Sequence, residues 1–393
     1  MKTAMTKRIP QLDGLRGVAI LMVVVHHFYG DVMNFTTGVV MQLMFIITSL
    51  GWSGVDLFFV LSGFLIGGIL LDARDSSNYF RVFYRRRLFR IFPLYFAFLA
   101  AFFLAARFIH VPELDVYFSP LVPWQACVTF FQNFWMAIHN DFGAGALNPI
   151  WSLAVEEQFY LALPLVIYFV RGPRLIQLLA VGIIGAPLTR LALFLAVPNL
   201  KLAPYVLLPC RMDALLLGVA TAYLARQESA WEVVRAHRRY LWTAIEILTL
   251  VCALFLIYPS PHDDTITMLL GYDCFALLYT CILVTCLVDN RLAKVLQAKW
   301  LMGLGSIAYC VYLIHQLVFS FVFSMLQGYT KNWVIMAIVS TIVTLILAKL
   351  SWEFFEKPCV RFGHREDYCP KGVLEAGIPH QGESRVEGAQ VPV

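Results

Sequence analysis

Charge is scarce in this chain. Asp, Glu, Lys and Arg make up 14% of its 393 residues, where an ordinary soluble domain carries about a quarter. Apolar residues make up 60%. No polar stretch is long enough to build a second folded domain, so a multi-domain soluble protein is excluded. Paired cysteines are also lacking. The nine cysteines show no CxxC spacing, and Cys127, Cys210, Cys252, Cys274, Cys281, Cys286 and Cys310 lie in apolar segments as small packing residues. Neither a disulfide framework nor a zinc site is suggested, and no metal is expected. There is no cleavable-signal pattern: apolar residues from Val18 run straight into His26 and His27 without small residues at a cleavage point. The net charge of +5 is spread between apolar blocks, so it carries no nucleic-acid signal.

The apolar residues come in blocks of about 20, the length that crosses a bilayer. We read an all-α, polytopic integral membrane protein with about ten spans, at 13–30, 54–72, 91–110, 151–170, 175–197, 204–224, 240–258, 267–288, 302–327 and 332–354. Two further apolar stretches, 39–50 and 121–138, are expected to be re-entrant or interfacial. The first is short, and the second contains Gln125, Gln132 and Asn133. Basic residues set the orientation. Arg81, Arg85, Arg86, Arg87 and Arg90, with Arg235, Arg238, Arg239, Arg291 and Lys294, fall in loops of one side, while the other side has Arg107, Lys201 and Lys331. By the positive-inside rule both termini are cytoplasmic. The expected domain is 8–360, followed by a polar, disordered cytoplasmic tail at 361–393.

Ionisable groups inside spans are costly and are functional candidates by default. Arg16 and His27 are eleven residues apart on the first span, on one face and roughly 16 Å apart along the axis. Asp56 begins the second span, where a helix N-terminus alone would welcome a carboxylate. Ser62 and Gly63 suit close helix packing. Glu156 and Glu157 lie one to two turns into Trp151-Ser-Leu-Ala-Val-Glu-Glu-Gln-Phe-Tyr160, with Ser152 on the face of Glu156. A purely structural reading pairs these glutamates with Arg190 or Arg211. Tyr84 to Pro93 opens the third span, with Arg86 and Arg90 one turn apart and Pro93 in the first helical turn. This cluster is a cytoplasmic anchor, and guanidinium forks also suit phosphate. Arg211 with Asp213 forms an ion pair or a substrate contact. Tyr312 and His315 share a face, either lining a cavity or bonding between helices.

Five blocks resemble, in order, the membrane acyltransferase-3 family of bacterial O-acetyltransferases that act on surface polysaccharides, peptidoglycan, Nod factors and macrolides. They are Leu12-Asp-Gly-Leu-Arg16 with His27, Gly54 to Ile66, Tyr84 to Pro93, Trp151 to Tyr160, and Ser306 to His315. The family's spacing of arginine, ten residues, histidine selects His27 over His26, an extra histidine that departs from the pattern. The resemblance implies that His27 acts in catalysis and that the arginines handle acyl-coenzyme A. A stand-alone member is expected, without the esterase-type domain that many relatives carry.

The expectation is transfer of an acyl group, most simply acetyl, from cytoplasmic acyl-CoA to a saccharide or related hydroxyl at the inner membrane, with no bound cofactor. Arg16, Arg86, Arg87 and Arg90 would bind the donor, and His27 would be the general base. Glu156, Glu157 or Asp56 would orient it, as in a triad. Ser62, Ser152, Arg211, Tyr312 and His315 are candidate cavity residues. The arginines are expected at the cytoplasmic mouth and the carboxylates toward the outer half. Two rival classes are a transporter or flippase for an amphiphile, and a receptor or structural subunit that binds without turnover.

Overall fold

The computed structural model describes residues 9–30, 48, 50–108, 115–255, 265–330 and 332–370. The stretch expected to be re-entrant at 39–50 lies almost entirely outside the described residues. The rest is a multi-pass membrane protein built from helices, with no strand among the described residues. The long helices are α1 (Pro10–Val25), α2 (Gly54–Ala73) and α3 (Tyr79–Phe108). Two short ones follow, α4 (Trp124–Val128) and α5 (Gln132–His139). Then come α6 (Ile150–Phe169), α7 (Pro173–Ala196), α8 (Leu208–Leu224), α9 (Arg238–Leu254) and α10 (Tyr272–Val288). The last are α11 (Lys299–Leu326), α12 (Trp333–Ser351) and α13 (Lys357–Gly363). Among the described residues, 8 helices are long and apolar enough to cross a membrane. The other two expected spans are also helical: α1, which a π-helical turn extends through His26–Gly30, and α9.

The bundle has a buried centre and a lipid-facing rim. In α2 the most apolar window is 72% buried, and in α7 it is 17% buried. The rim exposes Leu161, Val181, Ile184, Leu188, Leu250, Ile342 and Ile346. Apolar exposure of this kind costs nothing against hydrocarbon. At the centre α1 packs on α11, and α2 on α8. Missing side chains allow both approaches: a Cβ on Gly17 would lie 2.3 Å from the Leu301 carbonyl oxygen, and one on Gly305 1.9 Å from that of Asp13. Gly63 meets the Leu215 carbonyl oxygen at 1.9 Å in the same way.

Two expectations need correction. Pro93 does not start a helix; α3 begins at Tyr79 and carries Pro93 inside it. A membrane helix accommodates an internal proline because its neighbours satisfy the freed backbone groups. The polar tail does not begin at 361. Residues up to Gly363 belong to α13, and Glu366 to Pro370 lie along α3, with Ser77 N donating to Cys369 O at 2.9 Å and Cys369 N to Asn78 Oδ1 at 2.9 Å. Within 121–138, α4 and α5 are both too short to cross. Their amides bond protein: Gln132 Nε2 donates to Ile150 O at 2.8 Å, and Asn133 Nδ2 to Val206 O at 3.1 Å.

Candidate active site

Gly305, Ala308, Tyr309 and Tyr312 recur at three- and four-residue intervals along α11, so they form one inward stripe. That stripe is one wall of a cavity of about 110 Å³. The other walls bring Arg16 from α1, Ser62 from α2, Arg87 and Arg90 from α3, and Ser152, Glu156 and Tyr160 from α6. Ser62 Oγ donates to Glu156 Oε1 at 2.6 Å. The Arg87 guanidinium lies 5.9 Å from the Tyr160 ring centre. Ser152 Oγ and Tyr312 Oη are 2.5 Å apart, and Tyr312 Oη also donates to Pro149 O at 3.1 Å. The result is a confined pocket with three guanidiniums, one carboxylate and several hydroxyls.

Glu156 therefore faces the arginines instead of sitting apart from them. The expected segregation of charges by depth is wrong at this point. Helix α3 starts twelve residues earlier than expected, so Arg90 lies roughly 16 Å into it. Ser62 and Glu156 descend from the opposite ends of their helices and meet the arginines midway.

His27 lies beyond the Tyr312 end of this arrangement, in the π-helical turn that follows α1. His315, one turn past Tyr312 on α11, is fully buried and places its Nε2 3.3 Å from His27 Nδ1. The His27 and His315 rings are 4.9 Å apart between centroids, and His26 packs edge-on against His27. None of the three carboxylates expected to orient His27 bonds to it. Glu156 is held by Ser62. Glu157 has a buried Oε1 with no hydrogen-bond partner. Asp56 pairs with Arg211 at 2.6 Å.

That last pair belongs to a separate buried ion network. The Arg211 guanidinium sits 4.0 Å from the Tyr272 ring centre. Arg190 bridges Asp213 at 3.0 Å and Asp273 at 2.7 Å. So neither Arg190 nor Arg211 pairs with the glutamates, and Asp56 and Arg211 leave the candidate site for this network. Arg86 also leaves it. It turns away from the cavity to Asp367 at 2.7 Å and to the Glu366 carbonyl at 2.9 Å, and its guanidinium lies 5.1 Å from the Tyr368 ring centre. Beside it, burial holds the His364 imidazole below its ordinary value, and Arg86, Arg87 and Arg90 push the same way.

Residues 9–352 match the acyltransferase domain that defines the acyltransferase-3 family. The chain belongs to that family. It is 28% identical over 376 residues to the peptidoglycan O-acetyltransferase OatA of Listeria monocytogenes, a match covering 91% of this chain and 56% of the relative. It is 28% identical over 380 residues to the O-acetyltransferase OatA of Staphylococcus aureus, covering 91% and 58%. It is 30% identical over 392 residues to the putative peptidoglycan O-acetyltransferase YrhL of Bacillus subtilis, covering 93% and 57%. The chain thus spans somewhat more than half the length of these curated relatives. No solved structure matches.

Of the candidate residues read from the sequence, Arg16, Arg87, Arg90, Ser62, Ser152, Glu156 and Tyr312 share the cavity. His27 and His315 share the adjoining pair. Sequence reasoning missed Tyr160 and Tyr309, which also line the cavity. Helical spacing was the available signal: Tyr160 stands four residues after Glu156, and Tyr309 three before Tyr312.

Proposed function

We propose that the chain transfers an acyl group, most simply acetyl, from acyl-CoA to a hydroxyl of a cell-wall saccharide of the peptidoglycan type. The observation that carries this reading is the polar cavity beside the histidine pair, joined to it by one face of α11. Arg16 meets Asp13 at 3.5 Å on its own helix, whereas Arg87 and Arg90 suit a polyanionic donor. Among the described residues, no carboxylate lies within ion-pair distance of Arg87 or Arg90, although both line the cavity. With Arg16 they would take the donor's phosphates. Glu156, tied to Ser62, would keep their forks apart and aimed inward. Family membership and the similarity to peptidoglycan O-acetyltransferases support acyl transfer to such a glycan.

In the reaction His27 accepts the proton of the acceptor hydroxyl as the oxygen attacks the thioester carbonyl. The tetrahedral intermediate then collapses. The C–S bond breaks, the acyl–oxygen bond remains, and the proton passes to the departing thiolate. In this reading the protein sits in the cytoplasmic membrane with both termini inside, so that the arginine end of the cavity meets cytoplasmic donor. Residues 8–360 form the catalytic domain, with the segment after it cytoplasmic.

The test uses purified protein in lipid nanodiscs with acetyl-CoA and a muramyl-containing glycan acceptor. Mass spectrometry should find an acetyl-sized gain on the acceptor and free CoA in equal amount. His27→Ala should lose this product while still inserting into the membrane. Full activity in His27→Ala overturns the assignment of the base. Export of an unmodified amphiphile, with no transfer and no CoA release, overturns acyl transfer.

A further inference from the structure

We propose that His315 is a positioning residue for His27, presenting His27 Nε2 as the basic nitrogen. The proposal rests on the acyl-transfer reading above and adds the partner of its base.

His315 Nδ1 lies 2.7 Å from the Tyr312 carbonyl oxygen and 3.2 Å from that of Val311. Carbonyl oxygens only accept, so His315 Nδ1 carries a proton. Neutral His315 then has its lone pair on Nε2, and that atom faces His27 Nδ1 at 3.3 Å. His27 Nδ1 lies 2.9 Å from the Val23 carbonyl oxygen, so it too carries a proton, shared between Val23 O and His315 Nε2. The opposite arrangement fails twice. A proton on His315 Nε2 would make a cation of a fully buried ring. It would also leave a His27 lone pair facing the Val23 carbonyl.

With Nδ1 protonated, neutral His27 has its lone pair on Nε2. When Nε2 takes a proton from the acceptor, the Nδ1–H becomes a charge-assisted donor to His315 Nε2, a stronger bond than the neutral one. The His–His contact therefore stabilises the imidazolium and fixes its ring, the two tasks that a triad carboxylate performs. A neutral partner does this without adding a buried negative charge. The π-helical turn supports the geometry. It carries His26 and His27 together, and such turns recur at functional sites.

Two measurements test the proposal. In ¹⁵N-histidine-labelled protein in nanodiscs, His27 and His315 are assigned by difference against His27→Ala and His315→Gln. Both should show Nδ1–H with an unprotonated Nε2 at pH 8. An Nε2–H tautomer on His27 overturns the proposal, and this readout does not depend on whether the chain transfers acyl groups. In kinetics, His315→Phe keeps a ring but loses the acceptor. It should lower kcat ~100-fold with the donor KM unchanged. His315→Gln puts an amide oxygen near the Nε2 position and should recover most of that loss. Equal losses in the two variants, or a loss confined to KM, mean that His315 only fills space. Loss of acyl transfer in His27→Ala together with full activity in His315→Phe leaves the proposed function standing and overturns this inference.

Discussion

Two groups of buried arginines occupy this bundle, and they are built differently. In the network around Asp56, each guanidinium meets its carboxylate at 3.0 Å or less, and Arg211 also lies against an aromatic face. In the cavity, Arg87 and Arg90 line open space, and the glutamate that lines it with them bonds a serine. A matched pair in a membrane interior is a structural joint. Cations gathered round an opening would, in the proposed function, receive the donor's phosphates. Within the matched set, Asp56 Oδ2 and Arg211 Nε are buried without hydrogen-bond partners. The difference in pairing still separates residues whose loss should unfold the protein from residues whose loss should leave it folded and inactive.

The sharpest way to break the comparison is to remove one partner of the matched set. Arg211→Met leaves Asp56 buried and unpaired, which should cost about 3–5 kcal/mol. Thermal unfolding in detergent should drop accordingly, and the double variant Asp56→Leu with Arg211→Met should recover most of it. A double variant no more stable than the single one removes the structural reading of the pair. Next in size is Arg87→Ala. A charge-assisted hydrogen bond to a donor phosphate contributes about 1.5–3 kcal/mol, so donor KM should rise ~10–100-fold. The unfolding temperature should stay within a degree or two of wild type. A large fall in stability would place Arg87 with the structural set. Smaller again is Ser62→Ala, which releases Glu156 toward the arginines. Donor KM should rise by several-fold, ~1 kcal/mol, and an unchanged KM would mean that the serine does not hold the glutamate off.

The smallest effect concerns the segment after α13. His364 is held below its ordinary value by burial, so the docked segment prefers the neutral ring. Its contribution is present above the unfolded imidazole pKa of ~6.5 and is lost as pH falls through that range. Hydrogen exchange at the Ser77 and Cys369 amides, corrected for intrinsic rate, should be slow at pH 8 and faster at pH 5.5. Equal protection at both values removes His364 from that contact.

Hydropathy alone located nearly every long helix, because a bilayer leaves little choice about segment length. It could not find where α3 starts, since the arginines there read as a loop. With the helix begun at Tyr79, neighbouring residues point to different walls. Arg87 enters the cavity while Arg86, one residue back, turns about 100° around the helix to the Glu366 segment. Depth along each helix was readable for Glu156, but the way helices from opposite ends meet in the middle was not. The sequence points to carboxylates as partners for His27 because charge is what a sequence makes conspicuous. His315 was visible only as a residue sharing a face with Tyr312, and its bearing on His27 needed the register of α1 against α11.

That register has a mechanical consequence. Gly17 and Gly305 bring backbone against backbone along the α1–α11 contact, with no side chain between to slip or repack at those points. The two helices form a rigid spine, and Arg16, Tyr312 and both histidines are fixed to it. In the proposed reading, a donor larger than the cavity would be admitted by movement of the facing wall, where α3 and α6 hold Arg87, Arg90 and Glu156, while Arg16 stays on the spine.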